Sequence, residues 1–179
     1  MNAREAHDWL VDNSNIDRGN FFQPYSADFV GAGMLARDIR LPLFNEKTNK
    51  YLTVEAYVYV LSHECDFQDS NIRPFSDYLL VCPILDFEKF ILNYITNFGD
   101  GKLQGFLAQL AQRNVYRAIY IPCYDVYEYG GLLYFNLISH THKSSFGNDL
   151  KKVIATTTPY SLRMIDSMLK NHLFRPVAR

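Results

Sequence analysis

Apolar residues recur at helical spacing in the middle of the chain. The clearest stretch follows Asp86, with aromatic or aliphatic residues at Phe87, Phe90, Ile91, Tyr94 and Ile95. This spacing places the apolar side chains on one helix face. A second stretch of the same kind begins after Gly99 and Gly101, where the first helix should end. The pattern therefore predicts an inserted helical hairpin over residues 86–114.

Helical patterns also stand at both ends of the chain. Residues 1–14 place their apolar side chains on one side and end in a polar stretch, which predicts an amino-terminal helix. Near the other end, Thr158 precedes Pro159, and a threonine cap followed by a proline is a typical helix start. A closing helix is therefore predicted over residues 159–173.

Valines and aromatic residues between these helices indicate strands. Tyr51–Ser62 is apolar on both faces, which predicts a central strand. Tyr78–Ile84 predicts a second buried strand that ends near Pro83.

The second half of the chain predicts four more strands, the first of which is Ala118–Pro122. A Gly130-Gly131 turn lies between Val126–Tyr129 and Leu132–Leu137, a pattern typical of a β-hairpin. Lys152–Thr157 predicts the last strand. Together with the helices, these strands predict an α+β fold with a strongly bent antiparallel sheet.

Length and composition agree with a single domain spanning residues 1–179. The hydrophobic share of 48% and charged share of 21% are typical of a folded protein and exclude a disordered chain. No apolar run is long enough to span a bilayer, and charged residues interrupt the amino terminus where a signal peptide would be apolar. The three cysteines are an odd number without framework spacing. A cytoplasmic location without membrane association is expected.

The predicted central strand ends in a cluster of reactive side chains, Ser62-His63-Glu64-Cys65-Asp66. Residues two apart in an extended chain face the same side, so His63 and Cys65 would project together. An imidazole beside a thiol can take up its proton and leave a nucleophilic thiolate, and Asp66 or Glu64 could orient the imidazole. Ser62, His63, Cys65 and Asp66 are therefore candidate catalytic residues. Alternatively, Cys65 is a small buried residue and Asp66 a turn cap.

A second histidine pair raises the alternative of a metal site. His140 and His142 repeat the spacing of His63 and Cys65, and together the four residues would offer nitrogen and sulfur ligands suited to zinc. The spacing lacks the knuckle of structural zinc motifs, so coincidence is the competing explanation. No other cofactor is expected.

Basic residues concentrate in the last part of the chain, although the net charge of −1 gives no global attraction to nucleic acid. Lys143, Lys151, Lys152 and Arg163 are candidate phosphate contacts, and exposed tyrosines could stack on bases. The alternative is an ordinary solvated face that balances the acidic front half.

The strand ending in Ser-His-Glu-Cys-Asp, the polar loop after it and the strand ending in Cys82-Pro83-Ile84 resemble an uncharacterised group of bacterial and phage proteins. In that group a strand ends in Ser, then His or Gln, any residue, Cys and Asp. The order of elements is similar to the SH3-like barrels of the MazF/PemK toxin superfamily. The resemblance implies an SH3-like barrel with an inserted helical hairpin and terminal helices.

The resemblance also implies action on RNA, which those toxins cleave. They use an arginine near the first long loop and a hydroxyl residue after the strand that ends in proline. Here Tyr51–Ala56 lacks the basic residue, and Leu85 and Asp86 stand where the hydroxyl would be.

We therefore expect a toxin-like protein, or one associated with mobile elements or phage defence, that binds or cleaves RNA. The first alternative is a non-catalytic subunit that binds a protein partner or forms a homodimer. The second alternative is a hydrolase that depends on Cys65.

Overall fold

Helices and strands follow the hydrophobic pattern through much of the computed structural model. The structure describes residues 1–14, 16, 18–25, 30–63, 77–115, 117–122, 127–147 and 151–174. They form a mixture of helices and strands, as predicted. Two compact units are distinguished. The helical unit comprises the described residues of 1–22, 85–135 and 158–179, and the sheet unit those of 23–84 and 136–157.

The described helices and strands occur in groups along the chain. In order they are α1 (Ala3–Ser14), α2 (Arg18–Phe21), β1 (Phe22–Gln23), β2 (Met34–Asn45), β3 (Lys50–Val60), β4 (Tyr78–Asp86), α3 (Phe87–Phe98), α4 (Asp100–Ala111), β5 (Ala118–Ile121), β6 (Gly131–Tyr134), β7 (Ser139–His142), β8 (Val153–Thr157) and α5 (Pro159–Leu173). Short 3-10 helices cover Phe135–Leu137 and Lys143–Phe146. The helices predicted at the two ends and over 86–114 correspond to α1, α5 and the pair α3 and α4.

Side-chain caps fix the starts of α3 and α5. The Asp86 carboxylate accepts hydrogen bonds from the backbone N–H groups of Glu88 at 3.0 Å and Lys89 at 3.4 Å. The Thr158 hydroxyl accepts one from the N–H of Ser161 at 3.3 Å. These bonds satisfy amide groups that have no partner inside the helix. Both starts were therefore readable from local sequence.

The core of the helical unit is built from the apolar stripes of its helices. Phe87 and Ile91 on α3, Leu103 and Leu107 on α4, and Ile165 on α5 are fully buried. Burying one such side chain contributes about 1.5–3 kcal/mol. The spacing of these residues at three and four positions explains why the helices formed where the pattern predicted them.

The predicted hairpin around Gly130 and Gly131 is wrong in its first strand. The partner of β6 is β5, with Ile119 opposite Leu133 and Ile121 opposite Gly131. Tyr127–Tyr129 form a turn, and Val126 lies outside the described residues. All four residues of β5 are buried. The buried apolar strand β5 therefore pairs with β6 in place of the segment that immediately precedes the glycine turn.

The sheet unit is an antiparallel arrangement in which β2 pairs with β3 and β8, and β4 pairs with β3 and β7. The longest pairing joins β2 to β3 and runs from Leu35 opposite Tyr59 to Asn45 opposite Lys50. A bulge interrupts it between Ala36 and Ile39. The core of the unit lies on the inner sides of these strands and includes Ile39, Leu41, Val58, Leu79 and Val81.

The predicted central strand over Tyr51–Ser62 is confirmed by the strand order, in which β3 lies between β2 and β4, but the first half of β3 is exposed. Only Val58, Tyr59 and Val60 of β3 are buried, and Lys50–Thr53 is exposed. The reason is that β4 pairs with β3 only over Val58–Val60, so the rest of β3 extends in a two-stranded arm with β2. The sequence of this segment is apolar on both faces, and this pattern did not distinguish a buried strand from the exposed arm.

The predicted closure into an SH3-like barrel is not found among the described strands, which form an open antiparallel sheet. β7 lies close to β2. There the Ser139 hydroxyl donates to the Pro42 carbonyl at 2.8 Å, and the Thr141 hydroxyl donates to the Arg40 carbonyl at 2.6 Å. Side-chain hydroxyls, not a backbone ladder, therefore join these two strands.

The described helices are all shorter or more polar than a membrane span requires.

Candidate functional site

The end of β3 is held to β4 by Ser62. Its hydroxyl oxygen accepts a hydrogen bond from the N–H of Leu80 at 2.8 Å. In return, the Leu80 carbonyl accepts bonds from the N–H groups of Leu61 at 3.0 Å and Ser62 at 3.3 Å. Ser62 is buried. The predicted catalytic serine is therefore placed as an anchor that extends the strand pairing beyond Val60.

The remaining residues of the predicted catalytic cluster are only partly described. His63 follows Ser62 and is exposed. Glu64, Cys65 and Asp66 lie outside the described residues. The pairing of His63 with Cys65, and the orienting role of Asp66, stay predictions from the sequence.

The structure brings two of the other predicted residues, His140 and His142, onto one outward face of the sheet unit. Tyr78 lies opposite His142, and Leu80 lies opposite His140 in the β4–β7 pairing. Side chains of residues directly opposite each other share a face of an antiparallel pair. We call Tyr78, Leu80, His140 and His142 the aromatic face.

The aromatic face is open to solvent, and its rings are in contact. Tyr78 is 54% exposed and Leu80 53% exposed, and both histidines are exposed. The Tyr78 ring stands edge-on to both imidazoles, with centroids 5.7 Å from His140 and 5.5 Å from His142. The alternate residues of both strands, including Leu79 and Thr141, are buried. Packing on the inner side therefore fixes which side chains point outward.

The short helix after β7 holds His142 in place. Its Nδ1 accepts hydrogen bonds from the N–H of Ser144 at 3.2 Å and lies 2.9 Å from the Ser144 hydroxyl. An amide donor requires an unprotonated Nδ1, so Nε2 carries the proton in the neutral ring. The N–H of Lys143 donates to the Asp77 carbonyl at 2.8 Å. These bonds tie the residues after β7 to the start of β4.

The four predicted phosphate contacts are divided between the two units, with Lys143, Lys151 and Lys152 in the sheet unit and Arg163 in the helical unit. Lys143 lies beside the aromatic face in sequence and through its bond to Asp77. The Lys152 ammonium donates to the carbonyls of Asp38 at 2.9 Å and Ser145 at 2.6 Å. Asp38 lies in the bulge of β2, so this bond ties the bulge to Lys152. Lys151 is exposed in the sheet unit. Arg163 is exposed on α5, in the helical unit.

The proposed metal ligands do not form a site among the residues that the structure describes. His63, His140 and His142 are described, but they belong to no group of three or more side chains suited to hold a metal ion. Cys65, the fourth ligand, lies outside the described residues.

The helical unit contains a polar cluster that sequence reasoning missed. The His7 Nδ1 atom lies 2.6 Å from the Tyr120 phenol oxygen, which donates to the Tyr129 carbonyl at 3.1 Å. Tyr120 is buried. A hydrogen bond to the Glu128 carboxylate raises the pKa of Tyr129. These contacts join α1 to β5 and the turn before β6, and their evident role is to hold that turn.

Tyr78 and Leu80 are the residues of the aromatic face that sequence reasoning missed. The available signal was their alternation with the apolar Leu79 and Val81, which predicts that they point away from the core. Their pairing with β7 had no local signal because the segments are about sixty residues apart in the sequence.

Comparisons with known proteins give no match. No protein family, curated protein or solved structure matches this chain.

Proposed function

We propose that the sheet unit binds single-stranded RNA through the aromatic face. The observation that carries this proposal is the exposed Tyr78 ring in contact with two exposed imidazoles on one sheet surface. Aromatic rings on a sheet stack on unpaired bases, and each stacked base contributes about 1–3 kcal/mol. Lys143, next to His142, supplies a cation for the phosphate backbone.

The chemistry of the face favours a flexible single strand. Tyr78 and the imidazoles offer flat surfaces and N–H or O–H groups, while Leu80 adds apolar area. Bases are exposed in this way only when they are unpaired. The net charge of −1 gives no long-range attraction, so the affinity is expected to depend on stacking more than on salt.

Binding of a labelled oligoribonucleotide of about 12 nucleotides, followed by fluorescence anisotropy, tests the proposal. Tyr78→Ala should weaken binding by about 5- to 150-fold, because it removes one stacking ring. Tyr160→Ala is the matched control, since Tyr160 is also about half exposed, at 56%, but lies on α5 of the helical unit. An equal effect of both substitutions, or no binding by the wild type, would contradict the proposal. Oligodeoxyribonucleotide of the same sequence distinguishes RNA from single-stranded nucleic acid in general.

RNA cleavage is the second candidate function, and the paired histidines favour it. One imidazole would accept the 2′-hydroxyl proton as that oxygen attacks the adjacent phosphorus. The other, as imidazolium, would donate a proton to the departing 5′-oxygen. The products are a 2′,3′-cyclic phosphate and a 5′-hydroxyl. Loss of these products at saturating protein concentration in His140→Ala or His142→Ala supports cleavage, and intact RNA with the wild-type protein refutes it.

Two broader proposals rest on the sequence and on the shape of the sheet unit. A toxin-like or phage-defence role is proposed from the resemblance to the MazF/PemK superfamily. We also propose that the sheet unit is an opened SH3-like barrel, because the hydroxyls of Ser139 and Thr141 reach β2 where a ladder would close it.

A hydrolase that uses Cys65 would be supported by labelling of that thiol with an electrophilic probe, and absence of labelling would count against it.

A further inference from the structure

The two edges of the β2–β3 arm differ in how they are covered. We define the arm as residues 40–55. Beyond its pairing with β8, the outer edge of β2 receives the hydroxyl groups of Ser139 and Thr141. The outer edge of β3 has no such cover from the described strands, because β4 pairs with β3 only at Val58–Val60. An uncovered strand edge presents backbone donors and acceptors to a further strand.

The side chains around this edge are apolar and exposed. Tyr51 is 73% exposed and Leu52 44% exposed on β3, and Phe44, which contacts Tyr51, is 50% exposed. Soluble proteins usually protect an edge of this kind with charges, a bulge or a covering segment. Three large apolar side chains near one open edge indicate an interaction surface.

The charges of the arm leave this edge nearly neutral. Glu55 accepts a hydrogen bond from the Arg40 guanidinium at 2.9 Å, so its charge is compensated within the arm. The remaining charge on the exposed part of β3 is Lys50 at the far end. Two copies of this edge could therefore approach without strong repulsion, and antiparallel strands are self-complementary about a two-fold axis.

We propose that two copies of this chain pair through the outer edges of β3, antiparallel, with Thr53 on the two-fold axis. This register places Leu52 opposite Val54 and Tyr51 opposite Glu55 of the second copy. Apolar side chains then face apolar ones, and the tyrosine hydroxyl can donate to a carboxylate. The pairing uses the open edge of both copies, so it stops at a dimer. It does not depend on the proposed RNA binding.

Sedimentation over about 1–500 µM protein tests self-association, and a charge on the axis tests the surface. The wild-type chain should shift from its 20.8 kDa monomer towards a dimer as concentration rises. Thr53→Lys should raise the dissociation constant about tenfold, since like charges would then face each other across the axis. Thr48→Lys is the matched control because it makes the same substitution in the exposed turn of the same arm. A monomer at all concentrations, or equal effects of both substitutions, overturns the proposal.

A disulfide provides a second measurement that does not rely on the lysine variant folding. Thr53→Cys, in a chain whose cysteines at 65, 82 and 123 are replaced by alanine, should form a cross-linked dimer on mild oxidation, because residues opposite each other on the axis are close enough for a disulfide. Thr48→Cys in the same background should stay monomeric. Cross-linking at 48 and not at 53 would place the contact elsewhere and refute the β3 pairing.

Discussion

Gly130 is a position where a single added methyl group should strongly destabilise the protein. The residue has a φ of +77°, a conformation that side chains rarely adopt. A Cβ atom there would lie 2.7 Å from the Tyr120 phenol oxygen and closer still to the Ile121 carbonyl oxygen. The methyl group would therefore meet backbone on one side and a buried ring on the other.

The surroundings of Gly130 leave little room for relaxation. Its N–H donates to the Tyr127 carbonyl at 3.0 Å, and its own carbonyl accepts from the N–H of Phe87 at 3.2 Å. Tyr120 is held by His7 and by the Tyr129 carbonyl. Moving the turn or the ring away from a new methyl group would break one of these bonds, each with a net contribution of about 1 kcal/mol.

We expect Gly130→Ala to lower the free energy of unfolding by about 2–6 kcal/mol. About 1–3 kcal/mol comes from backbone strain and a similar amount from overpacking. For a chain of 179 residues, each kcal/mol lowers Tm by about 2–4 °C, so Tm should fall by roughly 4–24 °C. Thermal and urea unfolding followed by circular dichroism measure both quantities.

Gly105→Ala is the control for this prediction. Gly105 lies in α4, and a Cβ there would have no heavy atom within 4 Å outside its own helix backbone. Replacing an unhindered helix glycine by alanine stabilises by about 0.5–1 kcal/mol, so Tm should rise by a few degrees. The reasoning would be refuted if Gly130→Ala left Tm unchanged, or if both substitutions destabilised the protein equally.

Two further predictions concern the β7–β2 contact and a partly buried carboxyl. Thr141→Val removes the hydroxyl that binds the Arg40 carbonyl and should lower the free energy of unfolding by about 1–2 kcal/mol. The control Thr96→Val, on the exposed side of α3, should lower it by less than about 0.5 kcal/mol. Equal urea midpoints for the two variants would contradict this prediction. Burial raises the pKa of Asp166 above 3.8, although Lys170 opposes the shift. The stability linked to the protonated form of Asp166 is present at pH below 3.8 and is lost as pH rises through the folded-state pKa. Asparagine carries no charge at any pH, so the Tm of Asp166→Asn should increase relative to that of the wild type as the pH is raised from about 3.5 to about 7. A relative loss over that range would reverse the expected sign.

The sequence predicted the helices well because their signals are local. Asp86 and Thr158 cap helices whose apolar residues follow within a few positions. The strands were harder to predict. The glycine turn at 130 suggested a partner immediately before it, but β5 pairs there instead because its four residues are buried and apolar. Burial of a strand depends on which distant segments pair with it, and local alternation does not carry that information.

The candidate site illustrates the same limit. His140 and His142 were recognised from their spacing, but their segment is four residues long and polar on its exposed side, so no strand was predicted there. Its pairing with Tyr78 and Leu80 created the aromatic face. Ser62 was named as a candidate catalytic residue, and its hydroxyl accepts a hydrogen bond from the N–H of Leu80 at the end of a strand. The role predicted for a side chain from its residue type is revised once its hydrogen-bond partners are known.

Histidine side-chain resonances offer the most direct test of RNA binding by the aromatic face. The chain has five histidines, and they fall in both units: His140, His142 and His63 in the sheet unit, and His7 and His172 in the helical unit. Adding a single-stranded oligoribonucleotide should shift the imidazole signals of His140 and His142 and leave those of His7 and His172 in place. Shifts confined to His7 and His172, or no shift at His140 and His142 under saturating RNA, would contradict the account.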